Sequence, residues 1–100
     1  MAKIHIQKFY VSSDRKDDFK SISDAFPDLF THSSRYRTSQ LVRDGEPTPE
    51  GLIVYRSFDV WTSQEHFERF KAEHSRWYRA IDNLVARTVV KEGQTDWQDE

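Results

Sequence analysis

The chain has no cysteine, which excludes disulfide bridges, a thiol nucleophile and thiolate metal ligands. Its three glycines, Gly45, Gly51 and Gly93, are too scattered to build a phosphate-cradling loop. No apolar run approaches the roughly 18 residues that span a bilayer, and the N-terminal stretch lacks the blocks of a secretory leader. The expectation is a cytoplasmic protein with no membrane partner. An excess of one charge is missing as well: 15 Lys and Arg are interleaved with 17 Asp and Glu, so no basic face is offered to nucleic acid. Within 100 residues there is material for one core only.

Aromatic residues are abundant instead. Seven Phe, four Tyr and three Trp concentrate the apolar volume in a few large side chains, suited to bulky packing or to an aromatic-lined cavity. Lys3 to Val11 alternates in the two-residue rhythm of a strand, with Ile4 and Ile6 on one face and His5, Gln7 and Phe9 on the other. After the capping serines Ser12 and Ser13, Phe19, Ile22, Phe26, Leu29 and Phe30 recur at helical spacing. Pro27 should kink that helix or end it near Ala25. Arg35 to Arg43 and Leu52 to Val60 read as two strands joined by a loop rich in glycine and proline.

Thr62-Ser63-Gln64-Glu65 has the form of a capping box and starts a second helix at Ser63, whose apolar face carries Phe67, Phe70, Trp77, Tyr78 and Ile81. Leu84 to Lys91 reads as the last strand. The boundaries are a folded domain over residues 1–93 and an acidic tail over 94–100, expected to dock on a partner subunit through Trp97.

The order strand, helix, strand, strand, helix, strand predicts an α+β, ferredoxin-like βαββαβ fold, an antiparallel four-stranded sheet with both helices on one face. The first and third strands carry apolar residues on both faces, yet helices cover only one. A second sheet should therefore cover the other, making a homodimer through its sheet faces, a dimeric α+β barrel.

The segment Phe58-Asp59-Val60-Trp61-Thr62-Ser63-Gln64-Glu65-His66-Phe67, with the helix after it, resembles the acidic-x-Trp-x-Ser-x-Glu stretch of the antibiotic biosynthesis monooxygenase family, of the dimeric α+β barrel superfamily. Element order and lengths agree from about Ile4 to Glu92. The resemblance implies a cofactor-independent monooxygenase acting on an electron-rich aromatic such as a quinol or a polyketide. The alternative is a non-catalytic dimeric module of the same fold that binds a small hydrophobic ligand. The heme-degrading branch does not fit, because its strand-one asparagine, helix-two tryptophan and axial histidine fall on Gln7, Phe70 and Ala80.

Two histidines are the candidate catalytic residues. At 100° per residue His74 falls within the apolar stripe of the second helix and should point at the sheet, either as a hydrogen-bonded core residue or as a general base. His5 shares the strand-one face of Gln7 and Phe9; it either ends the strand in water or joins Gln7 and His74 in a polar cluster. Gln7, Tyr55, Trp61, Phe70, Trp77 and Tyr78 are the candidate substrate-binding residues. For Tyr55, Phe70, Trp77 and Tyr78 the competing role is plain packing, and for Trp61 it is stapling the helix start onto His66. No metal site is expected: His66 and His74 lie roughly 12 Å apart along a helix, and no HExxH motif is present. No cofactor is expected either.

Overall fold

The computed structural model describes residues 1–100. The elements run β1 (Lys3–Val11), a 3-10 turn (Ser13–Arg15), α1 (Lys16–Ser23), α2 (Ala25–Phe30), β2 (Tyr36–Arg43), β3 (Ile53–Trp61), α3 (Gln64–Glu73), α4 (Ser75–Ala86), β4 (Lys91–Glu92) and β5 (Asp96–Asp99). The sheet is antiparallel in the order β2-β3-β1-β4, and β5 continues along the same edge of β1. The expected ferredoxin-like architecture is present, with each helical arm broken once.

The first break follows from proline. Pro27 has no amide to donate, so it is tolerated only in a first helical turn. The chain restarts at Ala25 and places it there. The second break, at His74, has no such signal. Its backbone (φ −115°, ψ 28°) ends α3 and begins α4. Tyr78 and Val85 of α4 turn to the core, and Trp77, one residue before Tyr78, stands 66% exposed. Trp77 is therefore not a cavity residue, contrary to the continuous-helix arithmetic.

Helix α3 is capped one residue later than a Thr62–Glu65 box requires. The Thr62 amide still donates to the Arg35 carbonyl at 2.9 Å, so the chain is extended there. Ser63 is the cap, its hydroxyl accepting from the His66 amide at 3.1 Å, and the His66 ring lies 2.7 Å from the Thr62 hydroxyl and 2.8 Å from that of Ser63. Glu65 is free to pair with Arg69. With the cap displaced, Trp61 packs on Phe67 at 5.3 Å between ring centres, in place of the expected His66.

The last strand departs most from expectation. Leu84 and Val85 belong to α4, and the edge strand is built from β4 and β5 on either side of Gly93. Gly93 donates to the Lys8 carbonyl at 2.8 Å, and a Cβ on it would meet Lys8 Cβ at 3.0 Å, so a larger residue would have to push Lys8 aside to bring the chain this close to β1. Asp96–Asp99, read as part of a tail docking on a partner, pairs with β1 of its own chain and sets Trp97 opposite His5. Its acidic residues meet local cations: Asp99 pairs with Lys3, and Glu100 with Arg37.

Two apolar clusters fill the space between helices and sheet. One gathers Phe9, Val11, Phe19, Ile53, Tyr55 and Val85. The other gathers Phe30, Trp61, Phe67, Phe70 and Tyr78. On the opposite sheet face Ile4, Ile6, Val54, Phe58 and Val60 lie under no helix, beside a charged group in which Asp44 meets Arg56 at 2.9 Å and Lys8 at 3.8 Å. No helix is long and apolar enough to cross a membrane.

Candidate functional site

Strand register builds the site. In the β1–β3 ladder His5 faces Asp59, Gln7 faces Ser57 and Phe9 faces Tyr55. In the β2–β3 ladder Ser39 faces Asp59 and Leu41 faces Ser57. A bulge between Tyr36 and Thr38 switches the parity of β2, so that Tyr36 and Ser39 both turn toward the helices. Along β3 the helix-facing side chains thus run Trp61, Asp59, Ser57, Tyr55, Ile53, and along β1 they run His5, Gln7, Phe9, Val11. A polar belt of His5, Gln7, Ser39, Ser57 and Asp59 separates the two apolar clusters.

Above this belt lies a cleft of about 120 Å³, floored by Gln7, Ser57, Ser39 and Asp59 and roofed by Phe26, Pro27, Phe30 and Tyr78. Apolar cavities of about 150 Å³ accept benzene, whereas drug-sized ligands need roughly 300–1,000 Å³. The cleft is therefore somewhat smaller than a single-ring cavity, and a ring seated in it would extend toward its open side.

Asp59 is buried and accepts from the Ser39 hydroxyl at 2.7 Å. Its other oxygen lies 3.6 Å from His5 Nδ1. Burial pushes the Tyr78 hydroxyl well above the ordinary phenol range, with Asp82, Asp59, Glu68 and Glu92 adding to it, so this group is a neutral donor at physiological pH. Gln7 and Tyr78 also border a second, more open hollow lined by Lys71, Ser75, Arg79, Asp82 and Glu92. There Glu92 holds its proton more tightly than usual, through burial and then the nearby Asp82.

Of the residues singled out from sequence, Gln7 and Tyr78 line the cleft. His5 is behind it, enclosed between the rings of Phe67 and Trp97. Trp61, fully buried, and Phe70 are packed in the second cluster, and Tyr55 packs on Phe19 in the first. His74 is not in the site. Its Nδ1–H donates to the Phe70 carbonyl at 3.1 Å and its ring stacks on Phe70 at 4.2 Å, which ties it to the helix junction. The cluster of His5, Gln7 and His74 does not form.

Asp59, Ser39 and Ser57 were missed as site residues. A signal was available in the apolar strand Leu52 to Trp61, where Ser57 and Asp59 are the two polar residues of the helix-facing parity. A buried aspartate in such a strand needs a partner. No group of three or more His, Asp or Glu side chains is placed to hold a metal ion.

The sequence matches no protein-family model and none of the curated proteins. Solved structures do resemble it. A point variant of SnoaB, a cofactor-independent oxygenase from Streptomyces nogalater, superposes with a TM-score of 0.79 at 14% identity, over 99% of this chain and 92% of that one. A candidate antibiotic biosynthesis monooxygenase from Bordetella bronchiseptica gives 0.76 at 16% identity, over 99% and 96%. A dimeric ferredoxin-like protein of unknown function from Thermobifida fusca gives 0.69 at 12%, over 98% and 90%. The chain has the fold of the dimeric α+β barrel proteins. At these identities the likeness establishes the monooxygenase-like fold and leaves the chemistry to the residues of the cleft.

Proposed function

We propose that this protein is a cofactor-independent monooxygenase for a small, electron-rich hydroxylated ring. The observation that carries it is a buried carboxylate, Asp59, on the floor of a cleft whose other polar lining is hydrogen-bonding neutral side chains and one exposed carboxylate, Asp24. In this scheme Asp59 takes the proton of the ring hydroxyl, and the resulting phenolate is the electron source for dioxygen. Gln7 and Ser57 hold the oxygen atoms of the substrate, and the Tyr78 hydroxyl donates to the anionic oxygen that develops. Phe26 and Phe30 keep water out. For a naphthol the balance is one naphthol and one O2 giving one naphthoquinone and one water.

The test is oxygen uptake with a panel of quinols and naphthols. Uptake matching quinone formation is expected, with Asp59→Asn slowing it about 100-fold. No uptake, or an unaffected variant, sinks the reading. One observation favours a second reading, a binding module without chemistry: His5 and His74, the two histidines nearest the helix–sheet layer, stand outside the cleft. Ring binding of equal strength by wild type and Asp59→Asn, with no uptake by either, selects it.

The same reading includes a homodimer through the outer sheet face. Ile4, Ile6 and Phe58, half-buried, and the buried Val54 and Val60 share the sheet face that no helix covers, and the Thermobifida fusca protein of the same fold is dimeric. Sedimentation at micromolar concentration should give a dimer, and Phe58→Lys should give monomers. A wild-type monomer refutes it.

A further inference from the structure

We propose that His5 and Asp59 form a proton-sharing pair behind the cleft, with Trp97 as its cover; His5 is a positioning residue that acts through Asp59. Its kinetic consequence rests on the oxygenase reading; the pairing itself does not.

The geometry is specific. His5 is 4% exposed, and its Nδ1 is a buried polar atom with no hydrogen-bond partner. The nearest acceptor is Asp59 Oδ2 at 3.6 Å, just beyond hydrogen-bond reach. An unpartnered buried nitrogen is costly, and a small rotation of either side chain closes the gap. Asp59 has two differently occupied oxygens: Oδ1 accepts from Ser39 at the cleft, and Oδ2 looks toward His5. With the Nδ1–H of His5 shared with Oδ2, the carboxylate is held with Oδ1 toward the cleft, and Oδ1 is the oxygen left to take the substrate proton. No electron moves and no other reactant is required.

The surroundings suit an imidazolium. The ring lies between Phe67, 4.6 Å away between centres, and Trp97, 4.7 Å away, whose π faces favour a cation. Other charged groups on the packed elements are compensated or set back. Lys71 of α3 is on the Phe67 ring at 5.7 Å, Lys3 and Asp99 pair with each other one step along β1 and β5, and Asp96 accepts from the Trp97 amide. Trp97 is held by the pairing of β5 with β1 and by its packing on Phe67, so the C-terminal strand completes the site.

The decisive readout is the imidazole N–H resonance of His5 by NMR on the full chain. A slowly exchanging, far-downfield Nδ1–H is expected in wild type and Trp97→Phe. Asp59→Asn should abolish the downfield shift, and Trp97→Ala should speed exchange about tenfold or more. A resonance absent from wild type at every pH, or unchanged in Asp59→Asn, overturns the pair.

Where oxygen uptake is present, His5→Gln should lower kcat about 10- to 100-fold with KM little changed, the range for an orienting group behind a reactive one. His5→Asn serves as a second variant should His5→Gln misfold, and unaltered kcat in a folded variant overturns the positioning role. A wild-type protein that takes up no oxygen overturns the oxygenase reading alone, and the resonance then judges the pair by itself.

Discussion

The two halves of the layer between helices and sheet solve opposite problems. Around Phe19 the rings of Phe9 and Tyr55 close at 5.2 Å each, with Val11 and Val85 fully buried beside them, and no polar side chain interrupts the contact. Around Asp59 the same strands present Gln7, Ser57, Ser39 and His5, and the helices stand off far enough to leave a cleft. Both regions use the same strand periodicity and the same helical roof. Substituting serine, aspartate and glutamine at a few inward positions turns a core into a site, since polar groups must find partners and cannot close on one another as methyls and rings do.

Breaking the dry half should have the largest effect. Phe19→Ala removes a ring with no exposed surface and is expected to cost about 3–5 kcal/mol, read by chemical denaturation. A loss under 1 kcal/mol would mean that this half is not the anchor of the fold.

Filling the polar half should do the reverse. Ser57→Val replaces a cleft-floor hydroxyl with methyls; stability is expected to change by less than about 1 kcal/mol, while ring binding measured by calorimetry weakens tenfold or more. Equal losses of stability in Ser57→Val and Phe19→Ala would erase the distinction between the halves.

Two smaller effects sharpen it through pH. In the folded protein Tyr78 keeps its proton beyond the ordinary phenol range, whereas the unfolded chain loses it near pH 10. The stability this group contributes is complete below pH 10 and is lost as pH rises further, so Tyr78→Phe should show a shallower alkaline decline than wild type. Glu92, with its proton affinity also raised, acts the same way in the carboxylate range, and Glu92→Gln should gain slightly on wild type as pH rises through it. Parallel pH profiles for wild type and each variant would remove the physical cause given for these shifts.

Most of the fold was written in local patterns. The alternation of Lys3 to Val11 and Leu52 to Val60, the stripe from Phe19 to Phe30 and the position of Pro27 each answer to a single period or a single steric rule. The failures share another cause. Leu84 to Lys91 is apolar enough for a strand, but its start continues α4 and packs Val85 into the first cluster. The break at His74 leaves no glycine or proline to mark it, so a continuous helix put His74 in the site and turned Trp77 inward. Gln94 to Glu100 has no apolar rhythm, and its strand exists because β1 offers a free edge and Trp97 finds His5 and Phe67. Gln7 and Tyr78 were legible as inward-facing residues. Asp59 was legible only as a polar residue of inward parity, because its partners, Ser39 and His5, come from register across three strands.

The central claim is that a hydroxylated ring sits on the polar belt with its oxygen toward Asp59. Chemical-shift mapping with 1-naphthol on the full-length protein tests it most directly. Perturbations centred on Gln7, Ser39, Ser57, Asp59 and Tyr78, and lost in Asp59→Asn, are the predicted result. Perturbations confined to the hollow of Lys71, Arg79 and Glu92, or none at millimolar ligand, would contradict it.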